Sequence, residues 1–207
     1  MALIAGWIAG LLTAVAFVIY VLATFGWEIR WNTHFRRIGE STRPNRATWF
    51  IWAFLGVLIS LTSLKSGAIN TMGVPLVLTA GPLVVAFISI KYGEGGWTRF
   101  DKICLAGAFV AVAVWFLSGS APAALLVSIV ADAFGVAPTV LHAYRKPEEE
   151  SKLAWTLFFL ADIVNLFAVT SWSLASFPIW IFTLYMVGHT ALIVSILSFR
   201  TRRAYTS

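Results

Sequence analysis

The 207-residue chain is 59% hydrophobic and 12% charged, with a mean hydropathy of +0.85, where a soluble domain carries roughly 25% charged residues. These proportions exclude a water-soluble fold. The formal charge of +6, which in a soluble chain points to nucleic acid, reads here as the asymmetry of a membrane protein.

A helix needs about 20 apolar residues to cross a hydrocarbon core of roughly 30 Å, and seven segments meet that need: 3–27, 47–65, 69–90, 102–118, 121–144, 152–171 and 174–199. The first lacks a basic leader and outruns the roughly 7–15 apolar residues of a cleaved signal, so a retained helix is expected. The connections after segments 1, 3 and 5 and the tail after segment 7 are polar; those after 2, 4 and 6 are short and nearly uncharged. Arg30, Arg36, Arg37, Arg43, Arg46, Lys91, Arg99, Lys102, Arg145, Lys146, Lys152, Arg200, Arg202 and Arg203 all fall on one side, and Lys65 alone on the other. The positive-inside rule then predicts an outside amino terminus and a cytosolic carboxyl terminus. Trp7, Trp115, Trp172 and Trp180 near the outer ends and Trp27, Trp31, Trp49, Trp97 and Trp155 near the inner ends read as aromatic belts.

The two halves of the chain align with each other. A shift of 103 places Arg43-Pro44 on Lys146-Pro147, Thr48 on Ser151, Trp52 on Trp155 and Pro75 on Pro178. For the first helix of each half, a shift of 109 pairs Ala14 with Ala123, Val18 with Val127, Val21 with Val130 and Phe25-Gly26 with Phe134-Gly135, on one helical face. Parallel repeats of this kind are readable from sequence. The expected fold is all-α: two parallel triple-helix bundles joined by a linker helix, with residues 1–92 as the first bundle, 93–120 as linker helix 4, and 121–207 as the second bundle with a short cytosolic tail.

In this pattern the chain resembles the PQ-loop superfamily, which includes the SWEET (MtN3-type) sugar transporters. The most specific residues are Gly135, Pro138, Thr139, Arg145, Lys146, Ser151 and Trp155, which look like the family's proline-glutamine motif followed by a basic loop. Thr139 stands where the family has Gln, and Ile29 and Arg30 occupy the equivalent positions in the first half. The resemblance implies a 3+1+3 arrangement and transport of a small polar solute by alternating access, with sugar as the family default.

Ionisable groups in hydrocarbon cost about 2.5–3.5 kcal/mol each and usually face a cavity or a partner. Asp132, Asp162 and His189 fall near the middle of segments 5, 6 and 7, and Asn165 follows Asp162 by three residues on the same face. Their counterparts in the first half are Ala23, Ile59, Thr62 and Ala86. These four polar residues are expected to converge on a pocket between the bundles, binding a cationic or hydroxylated ligand or exchanging a proton; the competing reading is an internal Asp–His pair that ties helices 5, 6 and 7 together. Pro82 and Pro138 are the candidate hinges, whereas Pro75 and Pro178 lie near helix starts, where proline is tolerated.

The rest of the sequence argues against other classes. Gly93-Glu-Gly95-Gly96 reads as a turn, and Glu148-Glu149-Glu150 as a solvated loop. His34, His142 and His189 have no metal spacing, and no nucleophile motif is present, so neither enzymatic chemistry nor a metal or cofactor is expected. Residues 174–199 contain no lysine for a retinal Schiff base. One cysteine, Cys104, excludes an intramolecular disulfide. The expected partners are a small-molecule solute (sugar, amino acid or vitamin-like) and the bilayer, with no nucleic acid and with homo-oligomerisation left open. A receptor or scaffold protein of the same fold, as in the related KDEL receptor, is the alternative.

Overall fold

The computed structural model describes residues 1–30, 33–37, 42–65, 73–94, 97–118 and 121–204. These contain seven α-helices: α1 Ala2–Thr24, α2 Arg46–Lys65, α3 Gly73–Tyr92, α4 Arg99–Ser118, α5 Ala121–Arg145, α6 Lys152–Leu166 and α7 Phe177–Ala204. Within them Ala2–Thr24, Leu126–Arg145 and Trp180–Phe199 are long and apolar enough to cross a membrane. Leu11, Val18, Phe87, Phe109, Phe116 and Leu192 stand exposed on the outside of the bundle. Apolar surface in mid-helix suits lipid better than water. The protein is a helical membrane protein.

Two elements differ from the sequence expectation. The first connection is not simply a polar loop: Trp27–Arg30 and Thr33–Arg37 pair as an antiparallel hairpin, β1 and β2, with Trp27 opposite Arg37 and Glu28 opposite Arg36. The alternation Trp27-Glu28-Ile29-Arg30 suits a pleated strand. Helix α6 ends at Leu166 rather than 171, at about 22 Å from its rise per residue. There Phe167 and Ala168 donate to Val164 and Asn165, tightening the last turn. Beyond it the hydroxyls of Ser171, Ser173 and Ser176 bond to one another and to local carbonyls, the competition by which serine draws a backbone out of a helix.

The packing pattern has an internal exchange. Helix α1 packs on α3 and α6, α2 on α3 and α5, α5 on α7 and α6 on α7, while α4 packs on α5 and α2. Replacing α1, α2 and α3 by α5, α6 and α7 turns this set of contacts among the six helices into itself. Close approaches fix two of the pairs. A Cβ on Gly56 would lie 2.8 Å from the Leu78 carbonyl oxygen across α2 and α3, and one on Gly135 would lie 2.9 Å from Trp52 Nε1 across α5 and α2. Only glycine admits such contact.

All basic segments with described side chains gather where α1, α3 and α5 finish and α2, α4 and α6 start. Each of those three starts carries a side-chain cap. Asn45 Oδ1 accepts from Thr48 N (3.2 Å), Thr98 Oγ1 from Asp101 N (3.1 Å) and Ser151 Oγ from Ala154 N (3.3 Å). Asp101 Oδ2 accepts in return from Thr98 N at 2.8 Å, completing a capping box. This is the basic end of the bundle. Trp31 lies outside the described residues, as do the side chains of Arg30, Arg36, Arg37, Lys65, Pro75, Trp115, Pro178, Arg200, Arg202 and Arg203.

The core sits beside the basic end and corrects the belt assignment for two tryptophans. Trp49 and Trp155, at 0% and 1% exposure, are interior residues. Trp49 lies 4.8 Å from the ring of Tyr20 and 5.1 Å from Trp52, and Trp155 lies 5.6 Å from Phe158. Helices α1, α2 and α6 meet through these rings, mostly in edge or tilted contacts that suit the aromatic quadrupole. Trp7, Trp27, Trp97 and Trp172 are exposed and Trp180 is half-buried.

Candidate functional site

At mid-depth, α1, α2, α3, α5, α6 and α7 line a partly open cavity of about 150 Å³. Helix α4 contributes nothing to its lining. Toward the basic end it is bounded by Trp49, Trp52 and Trp155, and its walls are formed by Phe17, Leu55, Pro82, Phe158, Phe182 and Met186. The repeat is visible in it. Trp52 and Trp155, 103 residues apart, stand with ring centroids 6.2 Å apart, and Leu55 and Phe158, at the same separation, both line the walls.

Three of the four expected polar residues meet here: Asp132 from α5, Asp162 from α6 and His189 from α7. Asn165, one turn beyond Asp162 at the end of α6, is half-buried and is not among the lining residues. Pro82 lies within α3 and lines the cavity; Pro138 lies within α5 and is buried beside Thr139. Each proline leaves the carbonyl four residues earlier without its helical donor. For Pro82 that carbonyl belongs to Leu78, the group that presses on Gly56.

Both carboxylates are held by α7. Asp132 Oδ2 accepts from Tyr185 OH at 2.8 Å, and Asp162 Oδ2 from Thr190 Oγ1 at 2.9 Å. Thr190 Oγ1 is equally close, at 2.9 Å, to the Met186 carbonyl, and its single proton serves one acceptor at a time. His189 is 8% exposed, with its ring 5.4 Å from Tyr185 and 6.2 Å from Trp52. Its Nδ1 completes no hydrogen bond, nor does Trp52 Nε1 on the side of Asp132. Among the described residues no ion pair joins His189 to either aspartate, and neither lysine nor arginine lines the cavity. Two carboxylates therefore share one mostly apolar chamber with the imidazole of His189, and each is hydrogen-bonded to a hydroxyl.

A second polar cluster, at the basic end, escaped the sequence reading. Glu150 is 5% exposed rather than solvated; its Oε2 accepts from Trp155 Nε1 at 2.8 Å and Tyr20 OH at 3.1 Å. Buried His142 stands between two carboxylates, with Nδ1 3.0 Å from Glu94 Oε2 and Nε2 3.5 Å from Glu149 Oε2. Both are close charge approaches without hydrogen-bond alignment. Asn45 Nδ2 donates to Glu94 Oε2 at 3.1 Å, and Thr139 Oγ1 donates to Thr48 Oγ1 at 2.8 Å. Burial pushes the Glu150 carboxyl up to about 7, against the pull of His142, Trp155 and Tyr20. The approach of His142, aided by Asn45 and Lys146, holds Glu94 below its ordinary value although it is half-buried. A glutamate one residue before the Ser151 cap, preceding an aromatic-rich helix, was the available signal; a run of three glutamates masked it.

No family model matches the chain, and neither a curated protein nor a solved structure does.

Proposed function

We propose that the protein is a multi-pass transporter of the PQ-loop or SWEET type that moves a small polar solute by alternating access, with proton coupling through its intramembrane carboxylates. All seven helices span the bilayer as 3+1+3, with the amino terminus outside and the basic end in the cytosol. The exchangeable packing of α1–α3 and α5–α7 supports the two-bundle reading, and the clustering of cations supports the orientation. In this reading Pro82 and Pro138 are hinges and Asn165 borders the outer approach to the cavity.

The observation that carries the proposal is the pair Asp132 and Asp162 in one cavity between the bundles, each hydrogen-bonded to a hydroxyl of α7, with no lysine or arginine in the lining and no ion pair to His189 among the described residues. A buried charge without a counter-ion is costly. A cationic group of a solute or a proton relieves that cost, and its arrival or departure is coupled to α7. A scaffold role would favour an Asp–His pair as the tie, whereas Tyr185 and Thr190 occupy the aspartates instead.

The test uses purified protein in proteoliposomes with a panel of glucose, lysine and thiamine. At least one solute is expected to accumulate above empty vesicles, and Asp162→Asn abolishes that uptake while the yield of monodisperse protein is kept. Unchanged uptake per folded molecule with a reduced folded yield would sink the transport role of Asp162.

A further inference from the structure

Every described hydrogen bond that closes the end of the bundle opposite the basic end is local. Ser171, Ser173, Ser176 and Trp180 bond within the α6–α7 connection. The basic end is tied across the two halves at three places, Tyr20 with Glu150, Thr48 with Thr139, and Arg43 N with the Glu149 carbonyl at 2.8 Å, and a fourth contact joins Glu94, at the start of the linker, to His142. The central cavity lies directly above these ties, with Trp155 both a wall of the cavity and a donor to Glu150.

We propose that this cluster is a proton-operated latch: it holds the basic end shut when His142 is an imidazolium and Glu150 is neutral, and releases it when both protons are lost. The sign follows from the number of buried negative charges, which outweighs the firmer bonds that Tyr20 and Trp155 make to an ionised Glu150. With both protons on, the imidazolium lies between Glu94 and Glu149, and Glu150 bonds Tyr20 and Trp155 through one oxygen while its buried Oε1 has no donor. With both protons off, three carboxylates surround a neutral ring. Repulsion among them then acts across the contact between the halves.

The other groups facing the cluster do not offset this change. Arg43 reaches Glu149 at 3.9 Å and Lys146 reaches it at 3.2 Å, both from the rim. On α2, Arg46 donates to the carbonyls of Ser89 and Ile90, and on α4 Asp101 is held by Thr98 and Asn45. Arg145, Glu148 and Lys152 are exposed, Tyr20 is the titratable group from α1, and the arginines of α7 have no described side chains.

The latch concerns the bundle and not the solute, and its test reads distance rather than uptake. The full chain carrying Cys104→Ala, Lys91→Cys and Arg145→Cys is spin-labelled in nanodiscs and measured by pulsed electron–electron resonance at pH 5.5 and 8.5. Both label positions are exposed and lie on opposite halves. The expected result is one short distance at pH 5.5 and, at pH 8.5, a longer one whose ratio to the short one has risen tenfold or more. Glu150→Gln, which mimics the neutral acid, keeps the short distance at both pH values; Glu94→Gln, which removes one partner of His142, shows the longer distance already at pH 5.5. A wild-type distance that does not change with pH overturns the latch, even if uptake is observed and whether or not the two variants fold.

Discussion

Among the described residues, the two ends of the bundle are built from different chemistry. At the basic end the halves are joined through buried titratable groups, His142, Glu94 and Glu150, set against the rings of Tyr20 and Trp155. At the opposite end the described polar contacts are exposed serine hydroxyls that bond within a single connection. Among the described residues, contacts between the halves are therefore carried by buried titratable groups at one end and not by the hydroxyl contacts at the other. The difference teaches that parting the halves at the basic end would break the contacts of His142 and Glu150 and hydrate the carboxylates there.

The sharpest way to break this comparison is to empty each end of its aromatic residue. Trp155→Ala is expected to cost about 3–5 kcal/mol, from lost burial and the cavity left behind, with Glu150 losing a donor as well. Trp172→Ala, on a residue 54% exposed, is expected to stay within about 0.5 kcal/mol. Thermal unfolding in detergent checks both, and comparable losses would erase the contrast between the ends.

The next effect is on pH dependence. The Glu150 carboxyl, ordinarily at 4.5, titrates near 7 in the folded protein. Between those values the folded state keeps a proton that the unfolded state has lost, so stability falls as pH rises from about 4.5 to 7 and the term is constant above that. Glu94 acts with the opposite sign at lower pH: its stabilisation is present above its ordinary value and is lost as acid protonates it. Glu150→Gln is expected to flatten the fall between pH 4.5 and 7. An unaltered slope in that variant would assign the titration elsewhere.

The smallest expected effect compares two hydroxyls. Thr139→Val removes the buried bond to Thr48 that joins the halves and is expected to cost about 1 kcal/mol, while Ser176→Ala at the exposed end costs less than about 0.5 kcal/mol. Equal midpoints for the two in a denaturant titration would show that the tie between the halves is worth no more than a surface contact.

Helix number and order were legible because apolar length is a cumulative property, insensitive to any one residue. Asp132, Asp162 and His189 were legible for the converse reason: one charge in an apolar run stands out, and the chain has nowhere to put it except a cavity. The end of α6 was not legible, because an apolar stretch continues through Phe167, Ala168 and Val169 while local hydroxyl bonding ends the helix. Trp49 and Trp155 lie within four residues of a helix start in sequence, the position of a belt residue, and only packing shows that they face inward. Glu150 was hidden by composition. It sits in a charged run whose other members, Glu148 and Glu149, do meet solvent or rim cations, and burial of one glutamate among three depends on the partner helix α1.

Thr190 bears on how the central site works. Its hydroxyl stands 2.9 Å from both Asp162 Oδ2 and the Met186 carbonyl, so rotation about a single bond transfers the donated proton from side chain to backbone. Asp162 can then present either a satisfied or a bare oxygen to the chamber without moving a helix. A torsional switch of this kind exchanges its states in picoseconds to nanoseconds, far faster than collective helix motions, so the hydrogen bond to Asp162 re-equilibrates ahead of any movement of α7.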